Sequence, residues 1–275
     1  MTVPLLLVDG HNLLHRAWFG FATRILSRDK TLDRTGVFGF AALLRKAQTH
    51  HANGFEILVV FDAENGSAAR AARDGDYKAQ RPAPDPGLYA SLALVKDGLD
   101  HTGVRWIEHD GCEADDVIAT LTTRARAAGR PVDVMSTDKD FVQLLADPGV
   151  RLLNTALRED LRHTTAEHIH PRHGVLAAQW PDYRALTGDP ADNIPGLCGV
   201  GPKTAARLLA DGRRLENVPA ERIHPAWTQK WEQVLLWREM IRLGTKVDLP
   251  DDLITDLATP PLPAAAVLLE ELDLW

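Results

Sequence analysis

The sequence predicts an α/β protein with a central, mainly parallel sheet. Three short apolar runs each end in an acid: Leu5-Leu6-Leu7-Val8 before Asp9, Ile57-Leu58-Val59-Val60-Phe61 before Asp62, and Val132-Asp133-Val134-Met135-Ser136-Thr137 before Asp138. Branched apolar runs of this length read as strands buried on both faces. Segments of helical character separate them, at about 37–51, 87–102 and 115–128. Strands alternating with helices imply a parallel sheet, and such sheets bind ligands beyond the carboxyl ends of their strands. Three aspartates at three strand ends would therefore face one crevice.

Composition bounds the reading. The chain has 275 residues, 45% hydrophobic and 25% charged, which suits one large domain or two modest ones and excludes a collagen-like, coiled-coil or wholly disordered chain. Two cysteines, Cys112 and Cys198, form neither a disulfide framework nor a zinc pattern. The pair His50-His51 and the stretch His168-Ile169-His170 lack a partner cluster and read as surface or loop. No apolar run is long enough for a membrane span and no secretory leader is evident, so a cytoplasmic protein is expected. The net charge of −7 argues against non-specific coating of DNA, but a local basic patch suffices for nucleic acid.

The fourth acidic piece is Gly111-Cys112-Glu113-Ala114-Asp115-Asp116, opening the helix at 115–128. Acids in a first helical turn complement the helix dipole, but three in four positions exceed what capping needs. Glu113 and Asp116 share a face, and Asp115 is expected to point aside. From about 165 the chain turns helical and is punctuated by prolines. Gly188-Asp189-Pro190-Ala191-Asp192-Asn193 adds two more acids. Next comes Gly196 through Ala205, in which Pro202 separates Gly201 from Lys203 and so breaks the nucleotide-binding loop pattern. A glycine turn opening a helix can instead offer N–H groups to a DNA phosphate, or simply form a helix–helix corner. Lys203, Arg207, Arg213 and Arg214 outweigh Asp211 there. Trp227, Trp231, Val234, Leu235, Arg238 and Ile241 follow helical spacing and read as packing anchors. From about Pro250 an extended tail packed on the body is expected.

Asp9, Asp62, Glu113, Asp115, Asp116, Asp138, Asp140, Asp189 and Asp192 form the candidate acid set. Two carboxylates ~4 Å apart repel by about 4 kcal/mol at an effective dielectric of 20, so convergence requires cations. Hard oxygen ligands select Mg²⁺ or Mn²⁺, and two such ions suit metal-assisted hydrolysis of a phosphodiester. The stretch Arg70 to Arg81 places bases and Tyr77 shortly after Asp62; on its own it reads as a solvated, loosely helical surface, and beside an acid cleft it would hold a phosphate and stack an unpaired base.

Seven segments, taken together, resemble the 5′ nuclease superfamily of flap endonucleases and 5′–3′ exonucleases, in particular the 5′–3′ exonuclease domain of bacterial DNA polymerase I. They are Val8-Asp9-Gly10-His11-Asn12, Val59-Val60-Phe61-Asp62, Tyr77-Lys78-Ala79-Gln80-Arg81, Gly111 to Asp116, Ser136-Thr137-Asp138-Lys139-Asp140, Asp182 to Asn193, and Gly199-Val200-Gly201-Pro202-Lys203-Thr204-Ala205. The resemblance implies a PIN-like α/β body over 1–165 with a helical arch over the cleft (about 70–95) and a helical region over 166–249 holding a helix-three-turn-helix at about 186–215. The tail would span 250–275, and the chain would be a stand-alone nuclease. It implies a first metal site from Asp9, Asp62, Glu113, Asp115, Asp116 and Asp138, and a second from Asp140, Asp189 and Asp192, with Asp138 shared. Lys78 matches a lysine that contacts the scissile phosphate, with Arg70 and Arg81 as nearby bases and Tyr77 near the terminal base. Gly199, Gly201, Lys203 and Thr204 match the duplex-binding loop, where relatives also bind a monovalent cation such as K⁺; Arg207 joins the DNA-binding set. Ala71, Ala72 and Asp74 depart from the larger residues usual in the arch.

The expected protein is thus a two-divalent-metal 5′–3′ exonuclease and 5′-flap endonuclease that leaves 5′-phosphate. It would act on DNA flaps, ends or overhangs, and on RNA–DNA hybrids, in Okazaki-fragment processing and repair. A nucleoid-associated monomer without membrane contact is expected. Two readings compete: a PIN-type ribonuclease, and a DNA-structure-binding protein of negligible catalysis.

Overall fold

The computed structural model describes residues 2–83 and 85–275. Pro84, inside the expected arch, lies outside the described residues. Six strands form one sheet in the order β3-β2-β1-β4-β5-β6. They are β1 (Leu5–Asp9), β2 (Glu56–Phe61), β3 (Arg105–Glu108), β4 (Val132–Met135), β5 (Val150–Leu153) and β6 (His163–Thr164). All pairings are parallel except β5 with β6. From β1 the chain steps outward to β2 and β3, then returns to place β4 and β5 on the other side of β1. The order therefore reverses beside β1, and the crevice of a doubly wound sheet opens at that point.

The helices are α1 (Gly10–Phe19), α2 (Thr35–His51), α3 (Ala68–Ala71), α4 (Pro86–Thr102), α5 (Ala114–Ala127), α6 (Ile169–His173), α7 (Trp180–Thr187), α8 (Pro202–Leu208), α9 (Pro225–Thr228), α10 (Trp231–Ile241) and α11 (Ala265–Glu271). The sheet separates two apolar cores, as strand periodicity requires. Leu5, Leu7, Leu58 and Val60 face α5 and the helices after it, while Leu6, Val8, Ile57, Val59 and Phe61 face α1, α2 and α4. His50 and His51 close α2 rather than lying in a loop.

Four features differ from expectation. Strand β4 stops at Met135, two residues early, because Ser136 and Thr137 turn their side chains to Asp9 and Asn12. β3, β5 and β6 carry too many polar residues, or are too short, to show as apolar runs. Among the described residues, 72–83 form a series of turns, not a helix; Gly75 and Pro82 interrupt any helical run. The tail is only partly extended, because it ends in α11, which packs its Leu268 and Leu269 against the core. Before that helix the tail is clamped: the Gln48 amide donates to Pro260 O at 2.9 Å, and Ile57 N–H donates to Thr259 Oγ1 at 2.8 Å. Among the described residues no helix is long and apolar enough to cross a membrane.

A candidate metal centre at the carboxyl edge of the sheet

Asp9 ends β1 and caps α1. Its Oδ1 accepts the Asn12 N–H at 3.0 Å, and its Oδ2 accepts the Ser136 hydroxyl at 2.8 Å. The turn from strand to helix is this tight only because residue 10 is glycine: a Cβ there would sit 2.5 Å from the Phe61 ring. Asp62 follows β2; its N–H donates to His11 Nδ1 at 3.0 Å and its Oδ1 accepts the Ala114 N–H at 2.7 Å. Asp138 follows β4 and accepts the Asp140 N–H at 2.8 Å. The topology thus brings three strand-end aspartates to one edge. Burial raises the pKa of Asp9 to about 7, aided by the charges of Asp62 and Asp138 and opposed by the Asn12 and Ser136 hydrogen bonds.

Asp115 does not point aside. Its carboxyl is held well above the usual range by burial and then by Asp138, Asp9 and Asp62, which places it among the crevice acids. The reason is the helix start: Glu113 is the extended N-cap residue of α5, so Asp115 is already one residue into the first turn. Glu113 and Asp116 turn instead to Arg70, whose Nη1 lies 2.7 Å from Glu113 Oε2 and whose Nη2 lies 2.7 Å from Asp116 Oδ1. Glu113 also receives the Lys78 ammonium at 3.0 Å and the Tyr77 hydroxyl at 3.2 Å. Burial raises its pKa, yet these two cations hold it below the usual carboxylate value. Two acids of the implied first site are therefore paired with protein cations in this arrangement.

A second group lies alongside. Asp140, Asp189 and Asp192 are all buried, and one carboxylate oxygen of each lies within 4.8 Å of the others. Burial, then Asp138, Asp189 and Asp192, raises the Asp140 pKa well above its ordinary value. Asp192 is raised by burial and Asp189 against the pull of Lys78 and Arg81. Asp140 Oδ1 is buried without a hydrogen-bond partner. An oxygen of that kind beside two further carboxylates is what a hard divalent cation satisfies, so the residues fit the group.

Lys78 and Arg81 lie on the turns that follow α3, and Arg70 lies in α3 itself. Lys78 has φ +55°, and its N–H donates to Asp192 O at 3.1 Å. Arg81 Nη2 reaches Asp192 Oδ1 at 3.0 Å, and the Asn193 amide donates to Asp76 O at 2.8 Å. The Lys78 turn is therefore sewn to the turn carrying the second acid group. Tyr77 is buried with its hydroxyl on Glu113, so its ring is not presented for base stacking here. Arg70 is likewise enclosed, its Nε donating to Met240 O at 2.9 Å. Beyond the acids, α7 leads through the turn 188–201 into α8. Gly199 takes φ +79° there, and Gly201 precedes Pro202 at the helix start. Lys203 and Arg207 are exposed and Thr204 is half-buried. The Trp227 indole N–H donates to Cys198 O at 3.2 Å, bracing this loop. His11 and Ser136 also contact strand-end aspartates, a role marked in the sequence only by their adjacency to Asp9 and Asp138.

Raised carboxyl pKa values carry a sign. A folded-state pKa above the unfolded value contributes stability that is full below about 3.8 and is lost as pH rises through the folded value, about 7 for Asp9. Cations that accept these carboxylates relieve that cost only where the acids are ionised. The rise in melting temperature on adding Mg²⁺ or Mn²⁺ is therefore expected to be larger at about pH 8 than at about pH 5. Thermal melts with metal and with EDTA at both pH values check this; equal shifts would contradict it.

A doubly wound sheet thus carries carboxylates at its switch point, with Lys78 and Arg81 beside them and a glycine turn opening α8 further on. The 5′-3′ exonuclease N-terminal resolvase-like domain matches residues 4–174, and the 5′-3′ exonuclease C-terminal SAM fold matches residues 175–262. The chain belongs to the 5′-3′ exonuclease family. It is 36% identical over 275 residues to a thermostable DNA polymerase I of Thermus thermophilus, covering 98% of this chain and 32% of that protein. It is 36% identical over 214 residues to DNA polymerase I of Deinococcus radiodurans, covering 78% of this chain and 21% of the relative. The chain thus spans about a third or less of these relatives. Among solved structures, the T5 D15 protein co-crystallised with metal ions aligns with TM-score 0.64 and 22% identity, over 86% of this chain and 88% of that one. Human GEN1 in complex with Holliday junction DNA aligns with TM-score 0.62 and 14% identity, over 100% of this chain and 71% of that one. At these identities the two structures speak for the fold.

Proposed function

We propose that the chain is a divalent-cation-dependent, structure-specific 5′ nuclease that hydrolyses DNA phosphodiesters, both as a 5′–3′ exonuclease and at 5′ flaps. The observation that carries this is the Lys78 ammonium, 3.0 Å from Glu113 Oε1 at the start of α5 and 3.9 Å from Asp192 Oδ1 of the buried Asp140–Asp189–Asp192 group. Asp9, Asp62, Asp115 and Asp138 would hold one cation and Asp140, Asp189 and Asp192 the other, Mg²⁺ or Mn²⁺ in either place. Bound there, the cations supply charge neutralisation and a water of lowered pKa.

The chain's own residues do the rest. Lys78, held between Glu113 and Asp192, presents its ammonium where a scissile phosphate displaces carboxylate contacts. Tyr77 supports it, with the Lys78 ammonium 4.9 Å from the ring centroid. Arg70 acts through Glu113 and Asp116, fixing the start of α5 and with it Asp115. Gly199, Gly201, Lys203, Thr204 and Arg207 grip the duplex backbone, with K⁺ as a further ligand of that loop. Water attacking phosphorus with the 3′ oxygen leaving breaks the P–O3′ bond and leaves a 3′-hydroxyl and a 5′-phosphate, the ends that Okazaki-fragment processing and repair require. RNA–DNA hybrids are further substrates, and the protein acts as a monomer at the nucleoid.

The test is a labelled 5′-flap duplex incubated with Mn²⁺, with Mg²⁺ and with EDTA, beside a matched RNA flap. Cutting near the branch in either metal, abolished by EDTA, supports the reading. Strong preference for single-stranded RNA, or binding in EDTA with no cutting in metal, overturns it.

A further inference from the structure

We propose that Arg184 is a positioning residue for the second cation, acting through Asp189. This rests on the reading that Asp140, Asp189 and Asp192 hold that cation. Arg184 lies in the last turn of α7, whose end is closed by the Gly188 N–H donating to Arg184 O at 2.8 Å. Gly188 takes φ +87°, and the chain folds back on itself into a tight turn. Asp189 and Ile194 then exchange both backbone hydrogen bonds, at 2.7 and 2.8 Å. This fixes the Asp189 backbone and leaves only its carboxylate to be oriented.

Two contacts orient it. Oδ1 accepts the Ala191 N–H at 3.0 Å, and Oδ2 meets Arg184 Nη2 at 2.5 Å. The arginine side chain is 16% exposed, and its Nε is buried without a hydrogen-bond partner. A guanidinium that gives up one donor to sit there is held by its ion pair rather than by a full hydrogen-bond set. Among the described residues, no other cation lies within ion-pair distance of Asp189. Lys78 and Arg81 approach the same acid group from the opposite turn and reach Asp192. Of those two, Arg81 is half exposed, so it is free to exchange its carboxylate for a phosphate. Arg184 is built into a helix and has no such freedom.

The physical role follows from charge and geometry. Three buried carboxylates within 4.8 Å repel one another, and a fixed positive group on one of them lets the triad converge before a cation arrives. Groups that orient a metal-binding side chain commonly control affinity 10–100-fold. The planar fork of arginine also sets the direction of the Asp189 carboxylate, which a lysine point charge would not.

The test is a Mn²⁺ binding isotherm read by electron paramagnetic resonance on the whole chain, for the wild type, Arg184→Gln and Arg184→Lys, without DNA. A thermal melt of each variant verifies the fold. Arg184→Gln is expected to weaken the second Mn²⁺ by about 10–100-fold and leave the first unchanged. Arg184→Lys is expected to recover part of the loss. Flap affinity in EDTA is expected to stay at the wild-type value for both variants. An unchanged isotherm with weakened flap binding would make Arg184 a phosphate contact and overturn the proposal, and so would tighter Mn²⁺ binding in Arg184→Gln. If Arg184→Gln fails to fold, an unchanged second site in Arg184→Lys together with wild-type stability overturns the geometric part. A wild type that binds no second Mn²⁺, or still binds it after Asp140→Asn, fails the reading beneath the proposal, a result distinct from either outcome for Arg184.

Discussion

Asp138→Ala is expected to lower the cleavage rate by roughly 10³-fold while flap affinity stays nearly unchanged. The size follows from the several kcal/mol of transition-state stabilisation that a bound cation contributes, at about 1.4 kcal/mol per factor of ten. The choice of Asp138 follows from its place between the two acid groups. Its charge bears on Asp9 and Asp115 on one side and on Asp140 and Asp192 on the other. Its N–H donates to Ser136 Oγ at 3.0 Å and its Oδ1 accepts from Asp140, so it links the loop after β4 to both. The residue is exposed, which makes the alanine variant tolerable to the fold. The candidate duplex grip, 196–215, lies on a different turn, so affinity measured in EDTA is expected to hold. Single-turnover rates on a labelled flap, beside binding by anisotropy, separate the two quantities. Near-wild-type turnover in this variant would contradict a shared role for Asp138.

Much of this architecture could be read from residues because the informative features are local. Asp9, Asp62 and Asp138 each terminate a run of buried strand residues, and a parallel sheet necessarily gathers such ends at one edge. What could not be read is direction. Asp115 and Glu113 differ by two positions in one helical turn, and only the exact start of α5 decides which enters the crevice. Periodicity locates a helix start to within a residue or two, which at 100° per residue is enough to exchange their roles. Tyr77 was similarly ambiguous: an aromatic among bases suits stacking, but the nearby Glu113 draws its hydroxyl inward. β3 shows no signal because an edge strand, Arg105-Trp106-Ile107-Glu108, needs no continuous apolar run, and β5 shows none because its four residues are broken by the exposed Arg151. The α11 helix is hidden in the sequence because the prolines before it make the whole tail read as extended.

The second large effect separates support from catalysis. Arg70→Ala is expected to destabilise the fold by about 3–5 kcal/mol, the usual consequence of removing one partner from a buried ion pair. Its side chain is 12% exposed and bridges Glu113, Asp116 and Met240 O. Alanine would leave the 5%-exposed Glu113 with Lys78 as its remaining cation and would leave Asp116 with none. It would also remove one of the ties between the end of α10 and α5, since the same guanidinium holds both. In a chain of this length that loss corresponds to a fall in melting temperature on the order of 10 °C. Arg70→Ala combined with Asp116→Asn is expected to recover part of it, because the orphaned charge goes with the acid. If Arg70 instead served the phosphate directly, the single variant would melt near the wild-type temperature and lose only cleavage rate. The enclosure of Arg70 by two carboxylates and a backbone carbonyl decides for the first outcome, and a calorimetric comparison of the single and double variants tells the two apart.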